Sequence, residues 1–189
     1  MATQIRIAQD DAADEVLSND PFALLVGMLL DQQYPMEHAF RGPWKILSRF
    51  GTLAPDAIAA AEPEAFAELC ATPPAIHRYG RSMAGRVQQL AAVVRDQYDG
   101  RAERLWVEAG DAQELNRRLL ALPGFGKQKA RIFVALLAKQ LGVRPDGWER
   151  VAGDYAEDGY RSVADVVDPA SLQKVRDFKK EKKAAAKAQ

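Results

Sequence analysis

Between Leu122 and Ala138 the chain reads Leu-Pro-Gly-Phe-Gly-Lys-Gln-Lys-Ala-Arg-Ile-Phe-Val-Ala-Leu-Leu-Ala, two glycines one residue apart and then an unbroken amphipathic pattern. The chemistry this spacing supports is anion binding. Gly124 and Gly126 let the backbone turn tightly, take positive φ and approach a ligand closely. A helix beginning just after them aims its first unpaired N–H groups, and the positive end of its dipole, into the turn. Upstream, Leu115, Leu119 and Leu122 recur at helical spacing. Helix, Pro-Gly-Phe-Gly turn and helix together make a compact grip for a phosphate backbone that need not read bases. Gly124, Phe125, Gly126, Lys127 and Lys129 are its predicted phosphate-holding residues.

The charge balance fits that grip only when its distribution is read. Formal net charge is zero, with 26 Lys and Arg against 26 Asp and Glu. Residues 117–150, however, hold eight Arg and Lys against two acids, whereas the first 22 residues hold five acids against Arg6 alone. A basic face on a neutral protein is a phosphate-binding footprint. At 189 residues, 48% of them hydrophobic, the chain is long enough for one domain with a proper core. No apolar run approaches the roughly 20 residues of a membrane span, and no basic-then-apolar leader opens the chain, so the cytoplasm is the expected compartment; a monomer is also expected. The single cysteine, Cys70, excludes an internal disulfide and a four-cysteine metal or iron–sulfur site. It falls in an apolar helical stretch and reads as a core residue.

The elements needed to position the turn are helices throughout. Asp20-Pro21 has the chemistry of a helix start, and Phe22, Leu25, Val26, Leu29 and Leu30 then form a stripe running to Gln32-Gln33. Helices are predicted at about 43–50, 55–61, 63–71 and 81–98, with Pro73-Pro74 as a break and Gly51 and Gly100 as stops. The pair flanking the turn fills about 112–141, followed by a loop through Pro145-Asp146-Gly147 into a short helix. Segments 162–167 and 169–183 also look helical. The last sixteen residues carry seven Lys and Arg against two acids; a frayed, solvated helix end is the favoured reading, and a basic tail that strengthens DNA binding is the other.

Three stretches across roughly residues 20–150 resemble the helix-hairpin-helix DNA glycosylases, the endonuclease III-like HhH-GPD superfamily of base-excision repair. Leu122-Pro-Gly-Phe-Gly-Lys-Gln-Lys-Ala resembles that family's Leu-Pro-Gly-Val-Gly-x-Lys-Thr-Ala. Asp20-Pro-Phe-Ala-Leu-Leu-Val-Gly-Met-Leu-Leu-Asp-Gln-Gln resembles its first core helix, and Arg78-Tyr-Gly-Arg-Ser-Met-Ala resembles the entry to its long helix. The resemblance implies an all-α, two-lobed single domain, with double-stranded DNA bent over a cleft and a damaged base flipped into it. By register from the hairpin it places a catalytic carboxylate at Asp146, which would stabilise an oxocarbenium-like sugar and orient water.

The same register puts Gln128 where bifunctional members carry a Schiff-base lysine. A monofunctional glycosylase without a lyase step is therefore expected, with a DNA-binding module that has lost the chemistry as the alternative. Lys127 and Lys129 flank position 128 but point about 100° away on a helix. Met28 stands where adenine-excising members have Glu, and Gly147-Trp148 replaces the usual small residue and His. Gln33 is the expected DNA-probing residue, and Asp31, Gln32, Gln128 and Trp148 are expected around the base. The resemblance also implies a monovalent cation on the carbonyls of Leu120, Leu122 and Phe125, and no iron–sulfur cluster.

Read without the resemblance, Pro145-Asp146-Gly147 is good turn chemistry, and Asp146 with Glu149 could cap the next helix. His38 and His77 have no metal-ligand pattern and are expected at the surface or in loops. Trp44, Trp106 and Trp148 are expected mainly in the core, Trp148 also being a candidate for stacking on a base.

Overall fold

The computed structural model describes residues 4–188, which contain no strand. The helices are α1 (Asp11–Asn19), α2 (Pro21–Leu30), α3 (Met36–Phe50), α4 (Pro55–Ala60), α5 (Pro63–Ala71), α6 (Gly80–Tyr98), α7 (Arg104–Val107), α8 (Ala112–Leu120), α9 (Lys127–Leu141), α10 (Trp148–Ala152) and α11 (Pro169–Lys187). Two short 3-10 turns, Gly153–Ala156 and Val163–Asp165, lie between α10 and α11. Helices α1 to α6 pack mainly among themselves, and α8 to α11 with the 3-10 turns form a second group. One continuous apolar core runs through both.

The centre of this arrangement is α2. Asp20 caps it by accepting the Phe22 N–H at 2.9 Å, and Pro21 supplies a preset φ where no N–H is needed. Every residue from Phe22 to Leu30 is buried, so the helix is apolar all round rather than striped. Helix α3 lies against it without a gap: a Cβ on Gly27 would sit 2.4 Å from the Phe40 ring. The absent side chain is what lets the two backbones approach.

Several elements differ from their sequence expectation. Helix α3 begins at Met36, not near Pro43, and proline sits in its interior. Helix α1 and the short α7 were not legible as separate elements, and only Val163–Asp165 of the segment 162–167 winds into a turn, of 3-10 type. Trp44 is 38% exposed, whereas Trp106 belongs to the core. His77 lies in the loop before α6, as one of the two expected placements, but it is buried there at 2% exposure. Cys70 is fully buried, as expected, and burial pushes its thiol up to about 12. Helix α11 runs on to Lys187, and residues 179–188 are exposed, as a solvated helix end requires.

The tight α2–α3 contact has a measurable consequence. Gly27→Ala forces the Phe40 ring aside and should cost about 1 to 3 kcal/mol of stability. Thermal or urea unfolding checks this; an unchanged midpoint would show that the contact tolerates a methyl group.

Candidate nucleic-acid interface and active site

The turn between α8 and α9 has the predicted conformation. Gly124 takes φ +78°, and a Cβ there would lie 2.3 Å from Leu29 Cδ1. Both backbone freedom and close packing therefore require glycine. Phe125 is not a ligand-facing ring: it is buried and meets Phe133 edge-on at 6.2 Å. Gly126 precedes α9 without a side-chain cap, so the first N–H groups of a 15-residue helix stay open beside the exposed Lys127. That end suits an anion. Of the three carbonyls expected to hold a cation, that of Leu122 accepts the Phe125 N–H at 3.2 Å.

Next to the turn lies a cavity of about 650 Å³ walled by the end of α2, the loop 31–34, the start of α9, Tyr155, Arg161 and α11. It gathers residues far apart in sequence: Asp31, Gln32, Gln33, Gln128 and Lys129 all line it. Gln33 is exposed at its mouth with φ +52°. Gln128 donates to the Tyr155 hydroxyl at 3.0 Å. Gln32 turns its side-chain amide back onto the Leu29 carbonyl at 2.8 Å. The loop is fixed from behind by the buried His77, whose Nε2 is 2.8 Å from the Gln32 carbonyl while its Nδ1 accepts the Tyr79 N–H at 3.0 Å. Those partners set the tautomer, Nε2–H donating, and burial lowers the His77 pKa so that the ring stays neutral.

Lys129 corrects the sequence reading. Its ammonium does not point outward to a phosphate but crosses to α2 and donates to the Leu29 carbonyl at 3.0 Å. There it shares the Leu29 carbonyl with the Gln32 amide at the C-terminal end of α2, where a cation also meets the negative end of the helix dipole. Burial lowers its pKa to about 8, with Arg86 adding and Asp31 opposing. The Asp31 carboxyl is shifted the other way: desolvation raises it, and Lys179 and Lys129 draw it back down.

Asp146 and Trp148 are not brought into this cavity. The Asp146 side chain is exposed, and its backbone carbonyl accepts the Ala112 N–H at 2.9 Å, tying the loop to the start of α8. Trp148 is half-buried against the core, with the Arg144 guanidinium 5.7 Å from its ring. The basic face also shrinks. Arg118 braces α7 through the carbonyls of Arg104 and Leu105, both at 3.1 Å, and Lys139 pairs with the half-buried Asp165 at 2.8 Å. Arg117, Lys127, Arg131 and Arg150 remain exposed.

Sequence reasoning gave α11 as a helix with a basic tail but did not place it on the cavity wall. Its exposed lysines 179, 182 and 183 line the cavity, and Lys182 Nζ lies 5.6 Å from the Tyr155 ring. An ion pair from Arg176 to the buried Glu37 ties the helix to α3. The three- and four-residue spacing of these lysines was a visible signal of one cationic stripe. A larger cavity of about 990 Å³ lies at the opposite end of α2, but Glu15, Asp20 and Asp56 line it, which disfavours phosphate.

An all-helical protein with a glycine turn presenting an open helix end, beside a cavity with a lysine-bearing wall, has the architecture of a helix-hairpin-helix DNA-binding protein. The model of the HhH-GPD superfamily base excision DNA repair proteins matches residues 26–188, and the chain belongs to that family. No curated protein matches the chain at a significant level.

The lysine wall can be tested through salt dependence. Replacing Lys179, Lys182 and Lys183 by alanine should weaken duplex binding and flatten the slope of log K against log salt by about two to three, roughly 0.9 per lost phosphate contact. Binding titrations between low and moderate salt measure this; an unchanged slope would remove α11 from the DNA interface.

Proposed function

We propose that this protein is a monofunctional DNA glycosylase that releases a damaged or mismatched base by hydrolysing its N-glycosidic bond. The observation that carries the reading is the cavity beside the hairpin: it joins a desolvated carboxyl, three glutamine side chains and a cationic rim at the place where an open helix end can fix the DNA backbone. A flipped nucleotide needs this combination, namely phosphate anchoring outside and a partly dry, polar pocket within.

Base release by water, without a lyase step, is favoured by two features of α9. Gln128 offers no amine and donates to Tyr155, while the one cavity amine on this helix, Lys129, is held on the Leu29 carbonyl. Neutral carbonyls of Leu120, Leu122 and Phe125 would suit a monovalent cation, whose chemistry is to draw a DNA phosphate to the turn. A second reading, a binding module without chemistry, is favoured by one observation, the exposure of Asp146 outside the cavity.

A panel of duplexes carrying uracil, mismatched thymine, alkylated and oxidised bases separates the two. The expected outcome is single-turnover release from at least one of them, and no protein–DNA adduct on borohydride treatment. Binding to every duplex with release from none would establish the module, and a trapped adduct would contradict the hydrolytic route.

A further inference from the structure

We propose that the groove of about 990 Å³ at the N-terminal end of α2 docks a partner protein, through a segment whose bulky apolar side chain is flanked by lysine or arginine. The proposal stands apart from the glycosylase reading, because this groove and the cavity beside the hairpin share no lining residue. Its volume lies at the upper end of the roughly 300–1,000 Å³ that ligand sites span.

The groove is walled by elements whose other faces are spent on the core. Helix α1 buries Ala13, Asp14 and Leu17 on its inner side and turns Ala12, Glu15, Val16 and Asn19 to the groove. A spacing of three and four residues makes one continuous helix face. Three of those four residues are exposed, and Val16 is half-buried. Phe22, Leu47 and Leu53 give the groove an apolar lining, and Trp44 of α3 adds a large indole that is 38% exposed. An aromatic side chain left wet beside an apolar recess is the kind of group that anchors a protein interface.

Charge selects the occupant. Five carboxylates line the groove, those of Glu15, Asp20, Asp56, Asp99 and Glu103, against the single cation of Arg95. Some are already engaged: Arg95 meets Asp96 at 2.7 Å, Asp99 meets Arg104 at 2.8 Å, and Glu103 meets Arg101 at 3.0 Å. Asp20 caps α2. Glu15 and Asp56 are exposed, and no ion pair among the described residues engages either. A cation entering here also relieves Asp20, whose carboxyl desolvation raises, with Glu103 adding to the rise and the Phe22 and Ala23 N–H groups opposing it.

The same field repels nucleic acid and acidic peptides. A small amine would answer the carboxylates but leave the apolar lining and Trp44 wet. An apolar side chain with cationic neighbours covers both. The ten residues of α2, about 15 Å of helix, separate the groove from the cavity beside the hairpin. A partner can thus be held while DNA occupies the other end.

A displayed library of random peptides, panned against the full chain, tests the proposal. Binders are expected to carry Lys or Arg beside a bulky apolar residue, and to weaken as salt is raised. The indole N–H resonance of Trp44, assigned by its loss in Trp44→Phe, should shift when a selected peptide is titrated in. Reversing both free carboxylates together, Glu15→Lys with Asp56→Lys, should weaken that peptide by about tenfold or more. Both side chains are exposed, so thermal unfolding of the double variant should stay near wild type. A library without binders, or binders without cations, would overturn the docking site. So would a basic peptide that leaves the Trp44 resonance unmoved, or one that binds the double variant as tightly as the wild type. Failure of the wild type to release any base would leave the docking site standing.

Discussion

The joint at Leu29 holds the rest of the structure in register. Its side chain occupies the space that a Cβ on Gly124 would need, and its carbonyl receives the Lys129 ammonium from a residue 100 positions along the chain. The glycine turn and the first turn of α9 are thus both seated on the last turn of α2. The cavity is the space left beside this joint.

The electrostatic pattern follows from the same geometry. Helix α2 is buried along its whole length, so its two ends are where charge must be managed. At its N-terminal end stand Asp20 and a groove rimmed by further acids; at its C-terminal end stand Lys129 and the lysines of α11. Both arrangements oppose the helix dipole in the stabilising sense. They also divide a protein with no formal net charge into an acidic end and a lysine-rich end, which a whole-chain charge cannot reveal. Arg176 on Glu37 keeps α11 against the α3 side, so the lysine wall is part of the cavity rather than a loose tail.

Much of this was legible in the chain. The glycine pair and the apolar spacing around it identified the turn and both flanking helices, because local backbone chemistry dictates them. Asp31, Gln32, Gln128 and Trp148 were expected around the base and Gln33 as the DNA-probing residue, through resemblance to a known pattern; the cavity gathers all of these but Trp148. Side-chain direction was not legible. Lys129 was expected to meet phosphate, yet it donates to the Leu29 carbonyl at the end of α2, and burial there is set by tertiary packing. Lys139 and Arg118 were counted with the basic face and instead hold internal partners for the same reason. Asp146 was placed by counting from the hairpin, and that count does not reveal that its side chain is exposed in the loop before α10, outside the cavity lining. His77 was hidden because a lone histidine carries no pattern, although it fixes the loop bearing Gln33.

The central claim, that the space between α2 and α9 receives the nucleotide, is tested most directly by hydrogen–deuterium exchange on two complexes. One holds a duplex with a tetrahydrofuran abasic analogue, and the other an undamaged duplex of the same sequence. The account predicts protection of the hairpin in both, with added protection of residues 31–34 and of the 179–183 segment of α11 only with the analogue. Equal protection in the two complexes, or protection confined to the hairpin, would contradict it.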